Sequence, residues 1–276
     1  MAEIVAAFGV PHTPAAPALV AREGPECETA RLFAEVQRNL EEVQPEALVI
    51  FDSDHLNTFF LDNLPLLSVG VAPRTAGPND GTPAVTYSEV PVAEELAQQV
   101  RAFGIEQGFD LGVTQEFEVD HSVMVPLHFL TPSMQLPIVP VLIGGIVPPL
   151  PQAKRCFALG EAVRAAIEAA PQPTRVAVLA SGSICLDIGS PLAPPGQIAG
   201  APDLDWMHQV LGYLKAGAVN DLLEAATTDR LARAGNIGGE LLNWIALLGA
   251  LGPRRPGFLE AQFGHGDAYP VWRWDR

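Results

Sequence analysis

Cysteine is scarce in this chain: Cys27, Cys156 and Cys185 are the only three, and no two are close in sequence. An odd, dispersed set of thiols supplies neither a disulfide framework nor a cysteine zinc site. Basic residues are also few, with 16 Lys and Arg against 32 Asp and Glu and a formal net charge of −16. Phosphate affinity comes from clustered Lys and Arg, so a general nucleic-acid binder is excluded. No basic segment followed by an apolar run marks the N-terminus for export. The longest apolar stretch, around Leu136 to Leu150, is broken by prolines and glycines and is shorter than the ~20 residues of a membrane helix. These absences lead us to expect a cytoplasmic protein with no membrane and no nucleic-acid partner.

What the chain has in quantity is apolar residues, 48% of 276. That fraction excludes a disordered chain and leaves ample material for a core. Short apolar runs bounded by breakers predict buried strands at Ile4 to Val10, Ala47 to Phe51, Leu66 to Val71, Asp110 to Thr114, Ile138 to Ile143 and Arg175 to Ala180. Between Glu28 and Val43, Leu32, Phe33, Val36, Leu40 and Val43 recur at helical spacing. Further helices are expected at Val92 to Phe103, Ser122 to Leu130 and Ala153 to Ala169, and over much of Leu204 to Leu251. Pro73 to Pro83 reads as a long turn, Pro191 to Pro202 as a loop, and the tail from Phe258 to Trp274 as added strands. Strands alternating with helices predict an α/β fold with a mainly parallel or mixed central sheet and helices on both faces. A single domain spanning 1–276 is the simplest organisation.

Three polar segments share one predicted position, just past the carboxyl end of a strand: His12, His55 and Ser181. In open α/β sheets ligands bind along that edge, so the active-site cleft is expected there. His12 lies in Pro11-His12-Thr13-Pro14, whose rings stiffen the backbone, although such a segment also serves as an ordinary strand-end turn. In Asp52-Ser53-Asp54-His55 either aspartate is placed to orient the imidazole as a metal ligand. The same aspartates suit a turn that satisfies backbone N–H groups. Asp120-His121 repeats the acidic-then-histidine order, so His121 is either oriented likewise or a core residue. His128, between Leu127 and Phe129, reads as a core residue, and His208 and His265 carry no pattern. Glu240, in Gly238-Gly239-Glu240-Leu241-Leu242, opens an apolar helix. It either complements that helix's N-terminus or completes a set of two histidines and one carboxylate, which leaves open positions on a non-haem Fe(II) centre. Arg74 is a candidate partner for a substrate carboxylate or a plain surface residue.

Taken together, Pro11-His12-Thr13-Pro14, Asp54-His55-Leu56-Asn57-Thr58-Phe59-Phe60, Asp120-His121-Ser122, Lys154-Arg155-Cys156-Phe157-Ala158-Leu159-Gly160 and Glu240-Leu241-Leu242-Asn243-Trp244 resemble the class III extradiol dioxygenases. Within them the likeness is to the β subunit of protocatechuate 4,5-dioxygenase. The resemblance implies Fe(II) held by His12, His55 and Glu240, with His121 beside the substrate and O₂. It implies cleavage of a dihydroxylated aromatic or hydroxypyridine-like ring. Assembly would be as a homodimer or with a small α-type subunit. One departure stands out. The family places an acid/base histidine after its last core strand, and the matching stretch here, Ser181-Gly182-Ser183-Ile184-Cys185-Leu186-Asp187, puts Leu186 at that position. General acid–base catalysis is typically worth ~10²–10⁴-fold, so either another cleft residue, such as Asp187 or His121, takes the proton, or the substrate ionises readily without help. A non-oxidative metal-dependent hydrolase or lyase, or a non-catalytic subunit, are the alternatives.

Overall fold

The computed structural model describes residues 2–189 and 198–274. Strand β1 (Glu3–Val10) leads to helices α1 (Ala16–Glu23) and α2 (Glu28–Val43), then to β2 (Ala47–Asp52) and β3 (Leu67–Gly70). The hairpin of β4 (Arg74–Gly77) and β5 (Ser88–Pro91) precedes α3 (Glu94–Glu106), β6 (Gly112–Thr114), α4 (His121–Leu130) and β7 (Ile138–Ile143). Next come α5 (Ala153–Ala169), β8 (Arg175–Ser181) and the short β9 (Asp187–Ile188) and β10 (Ala199–Gly200). Helices α6 (Leu204–Ala216), α7 (Val219–Ala225) and α8 (Thr228–Arg233) lead through a tight turn at Gly238–Glu240 into α9 (Leu241–Leu251), and β11 (Phe258–Gln262) and β12 (Asp267–Arg273) follow.

Eight strands form one sheet in the order β11-β12-β1-β8-β2-β7-β3-β6. Its centre is parallel, from β1 through β8 and β2 to β7, whereas β12 joins β1 and β3 joins β7 antiparallel. The sheet is therefore mixed. Every residue of β2 and β7 is buried, as expected of strands covered on both faces. Helices α3, α5 and α9 pack together over one face, while α1, α2 and α4 cluster over the other.

Helix α9 is buried along its whole length. It crosses α5 with the backbones in near contact: a Cβ on Gly160 would stand 1.9 Å from the Ala246 carbonyl oxygen, and one on Gly249 2.0 Å from that of Phe157. Glycine at both positions lets α5 and α9 approach backbone to backbone. On the opposite face the apolar stripe of α2 is buried as its spacing predicts. Phe33 in that stripe stacks on Phe129 at 4.1 Å and meets Tyr269 edge-on.

Several expectations needed correction. Part of the expected turn Pro73 to Pro83 is strand β4, which pairs with β5 through a register running from Arg74 opposite Pro91 to Gly77 opposite Ser88. Helix α1, directly after the first proline-rich segment, gave too short an apolar pattern to stand out. The helical stretch from Leu204 to Leu251 is divided by Gly217 in a left-handed cap and by the turn at Gly238–Glu240. Most of the expected loop Pro191 to Pro202 lies outside the described residues. Among the described residues no helix is long and apolar enough to cross a membrane.

Candidate metal centre

The parallel register aligns the carboxyl ends of β1, β8 and β2, with Val10 opposite Ser181 and Ala180 opposite Phe51. His12 and His55 follow β1 and β2, and Ser181 ends β8, so the three meet at one edge of the sheet as expected. Helix α9 delivers Glu240 from the covering layer. Glu240 occupies the cap position of α9 but makes no side-chain capping bond. Its carboxylate turns inward, where Oε1 lies 2.8 Å from His12 Nε2 and 3.2 Å from His55 Nε2. The backbone N–H of Ser183 donates to Oε2 at 2.8 Å. Gly182 lets this carboxylate in: its φ is +146°, and a Cβ there would stand 2.8 Å from Glu240 Cβ.

Both imidazoles are anchored through Nδ1. His12 Nδ1 lies 2.9 Å from Ser181 Oγ, which donates its own proton to the Ser122 carbonyl at 2.5 Å and so accepts from the ring. His55 Nδ1 lies 3.1 Å from Asp120 Oδ2. With Nδ1 carrying the proton, each neutral ring presents the Nε2 lone pair to the same carboxylate oxygen. Acceptor atoms converging in a buried place require a positive centre between them, either a proton or a cation. Neutral imidazoles with fixed tautomers and one carboxylate form a donor set suited to a divalent metal.

The protonation balance reflects this convergence. Burial lowers the affinity of His12 for a proton more than Glu240 raises it, so its pKa falls below the usual value. Burial acts against His55 too, but hydrogen bonds to Asp120 and Glu240 outweigh it and raise its pKa to about 10. Burial likewise disfavours the Glu240 carboxylate, yet the charges and hydrogen bonds of His12 and His55 hold its pKa well below the ordinary range.

His121 joins the group. Its ring centroid is 4.1 Å from that of His55 and 5.3 Å from that of His12, and the three histidines offer ligand atoms within 4.8 Å of one another. The orienting carboxylates differ from those the sequence suggested. Asp120 holds His55 rather than its neighbour His121, whose Nδ1 is instead bonded by Asp80. Asp54 is a turn residue, accepting from the backbone N–H groups of Asn57, Thr58 and Phe59. Asp52 accepts from the Ser122 hydroxyl at 3.1 Å and orients no histidine. The pairing of Asp80 with His121 spans 41 positions in sequence, and no local pattern announces it.

The remaining candidates sit apart from this cluster. Asp187 accepts from the backbone N–H of Asn236 at 3.0 Å, and no hydrogen bond joins it to the histidines among the described residues. Arg74 is exposed on β4 and pairs with Glu89 at 3.0 Å. His128 packs edge-on against Phe129, and His208 stacks on Phe263. A cavity of about 370 Å³ with largely apolar walls is lined by Thr13, which follows His12 in sequence, and by Leu19, Leu186, Gly200, His265 and Asp267 among others, but by none of His12, His55, His121 and Glu240. Leu186 is thus on a cavity wall, one chain position from Asp187. Asp267 and His265 carried no distinguishing pattern in the sequence.

A comparison with known families decides the ancestry. Residues 6–267 match the family described as the catalytic LigB subunit of aromatic ring-opening dioxygenase. The chain belongs to this family. Among relatives, 158 residues are 34% identical to the 2,3-dihydroxyphenylpropionate/2,3-dihydroxicinnamic acid 1,2-dioxygenase of Klebsiella pneumoniae, covering 57% of this chain and 48% of that protein. The Escherichia coli K12 enzyme of the same description is 35% identical over 137 residues, covering 49% and 42%. The matched segment therefore spans about half the length of these relatives. In fold, the chain is similar to the crystal structure of the uncharacterized protein JW3007 from Escherichia coli K12. That likeness has a TM-score of 0.61 and 16% identity, over 97% of this chain and 99% of that one.

Proposed function

We propose that the protein is an Fe(II)-dependent extradiol-type dioxygenase, a single catalytic domain over 1–276 that opens a dihydroxylated aromatic or hydroxypyridine-like ring with O₂. The observation that carries this reading is the convergence of His12 Nε2 and His55 Nε2 on Glu240 Oε1. Membership of a ring-opening dioxygenase family and the relatives named for dihydroxylated aromatic acids support it.

In this reading His12, His55 and Glu240 hold the metal. Bound there, Fe(II) acts as a template and Lewis acid that brings a vicinal diol and O₂ together. The protein supplies the rest. Ser181 and Asp120 fix the two ligand rings, and Ser183 fixes the carboxylate. His121, held by Asp80, stands beside both ligand histidines, where it hydrogen-bonds the reacting oxygens. The apolar cavity takes the ring and excludes water from it.

The test is anaerobic purification, metal analysis and Fe(II) reconstitution, followed by O₂ uptake with catechols, gallate-like acids and dihydroxypyridines. Iron-dependent O₂ consumption with a coloured ring-opened product is the expected result. Turnover without O₂ would replace the proposal with a metal-dependent hydrolase or lyase, and aerobic turnover by iron-free protein would remove iron from it.

A further inference from the structure

We propose that Asp267 is a catalytic proton donor at this site, acting on the bound diol from the cavity wall beside Leu186. The inference rests on the ring-cleavage reading above and supplies the acid that Leu186 cannot be.

The placement follows from how the strand ends meet. The segment after β8 is tied to the turn before β12 by the Ile184 N–H donating to the Gly266 carbonyl at 2.8 Å. That contact sets Asp267 against Ser183, whose hydroxyl donates to Asp267 Oδ1 at 2.8 Å while its backbone N–H holds Glu240 Oε2 at 2.8 Å. One residue therefore bridges Asp267 and the carboxylate at the centre of the histidine cluster. Asp267 is 3% exposed and lines the same cavity as Leu186. The other titratable side chains on that cavity, Arg22 and His265, are on exposed residues. Asp187, adjacent to Leu186 in sequence, is turned to Asn236 instead.

The chemistry of the group suits an acid. Burial first, and the negative Glu240 second, push the Asp267 carboxyl up to about 8 against the lowering effect of Ser183. A carboxyl of this kind keeps its proton at neutral pH and is available to donate it. Ser183, Cys185 and Glu240 face it from one side, Gln262 and Tyr269 from its own sheet edge, and Arg22 and His265 border the cavity. In the step, the Asp267 O–H bond breaks and an O–H bond forms on the substrate-derived oxygen where negative charge accumulates as the ring opens. The carboxylate left behind regains a proton released by the diol hydroxyls. No electrons pass through Asp267, because O₂ is the oxidant and both its atoms enter the product.

The experiment compares wild type, Asp267→Asn and Asp267→Glu in two ways: the metal-free proteins by the infrared band of a protonated buried carboxyl across pH, and the Fe(II)-loaded proteins by O₂ uptake across pH. In metal-free wild type the band of the protonated carboxyl should be lost as pH rises through about 8, and the Fe(II)-loaded rate should fall over the range in which Asp267 loses its proton. Asp267→Asn, which keeps an acceptor for Ser183, should lower kcat by ~10²–10⁴-fold and lose that alkaline limb, with KM nearly unchanged. Asp267→Glu should recover part of the rate and retain a limb. Wild-type kcat and pH profile in Asp267→Asn would overturn the proposal, as would a wild type with no alkaline limb, a measurement that needs no variant to fold. Absence of O₂ uptake by wild type with every diol would overturn the ring-cleavage reading itself, a result distinct from either.

Discussion

One oxygen of Asp120, Oδ2, accepts the backbone N–H of His55 at 2.8 Å and also faces its ring Nδ1 at 3.1 Å. The other oxygen accepts the Ser122 N–H at 2.8 Å and caps α4. A single side chain thus starts a helix and sets the tautomer and rotation of a histidine 65 positions away. Asp120→Asn keeps the cap through its carbonyl but turns an amide N–H₂ toward two donors of His55. Loss of such an orienting partner typically weakens metal binding ~10–100-fold. We expect that loss in a metal titration of Asp120→Asn, with a circular-dichroism spectrum like wild type. Wild-type affinity would mean that His55 needs no orienting carboxylate.

Gly182→Ala is expected to disturb the same centre from the opposite side. The residue sits at φ +146°, and its new methyl would stand 2.8 Å from Glu240 Cβ. Both the backbone and the carboxylate have to move, at a cost on the order of 1–3 kcal/mol. Thermal unfolding should register the strain, and metal analysis should show substoichiometric iron. Full iron content at wild-type stability would show that Glu240 does not depend on this approach.

The sheet was legible because its central strands are continuous apolar runs ending in breakers, and β7 and helices α2 and α5 fall where the pattern predicts them. His12, His55 and Glu240 stand out as family motifs; strand order accounts for the meeting of the two histidines, and helix α9 brings Glu240 to them. The carboxylates around them do not stand out. Asp80 lies in a hairpin loop and Asp267 at the start of a late strand, and each reaches its partner only through tertiary packing. Local adjacency misled at Asp120-His121, where a helix begins: the cap aspartate points back to His55 while the next side chain points to Asp80. Hairpin β4–β5 was missed because its proline- and glycine-rich surroundings read as a turn.

Asp52 supplies a stability test at a carboxyl that bonds none of the proposed ligands directly. Its side chain is buried, its Oδ1 has no hydrogen-bond partner, and burial followed by the nearby Asp120 charge raises its pKa well above the usual value. A carboxyl raised in the folded state loses stability as pH climbs above the unfolded value, because only the unfolded chain ionises it freely. Asp52→Asn removes that penalty while keeping an acceptor for Ser122. It should raise stability at pH 7 by about 1–2 kcal/mol, with the gain fading below roughly pH 4, where the unfolded aspartate is itself protonated. Equal melting temperatures of variant and wild type across this range would mean that Asp52 ionises in the fold without penalty.

Leu186→His probes the cavity wall directly. Leu186 is 5% exposed and borders the cavity that Asp267 also lines. An imidazole there adds a titratable group at a site where burying a polar ring without a partner costs about 1–3 kcal/mol and lowers its pKa below the ordinary ~6.5. The fold should therefore survive with a lower melting temperature. In Fe(II)-loaded protein the pH–rate profile should gain an inflection below the ordinary imidazole range. In the Asp267→Asn background, the same substitution should restore part of the lost rate by providing a second route for the proton. Rescue would show that both positions address one reacting oxygen. An unchanged profile in both backgrounds would place residue 186 out of reach of the substrate and break the proposed correspondence with the family's histidine.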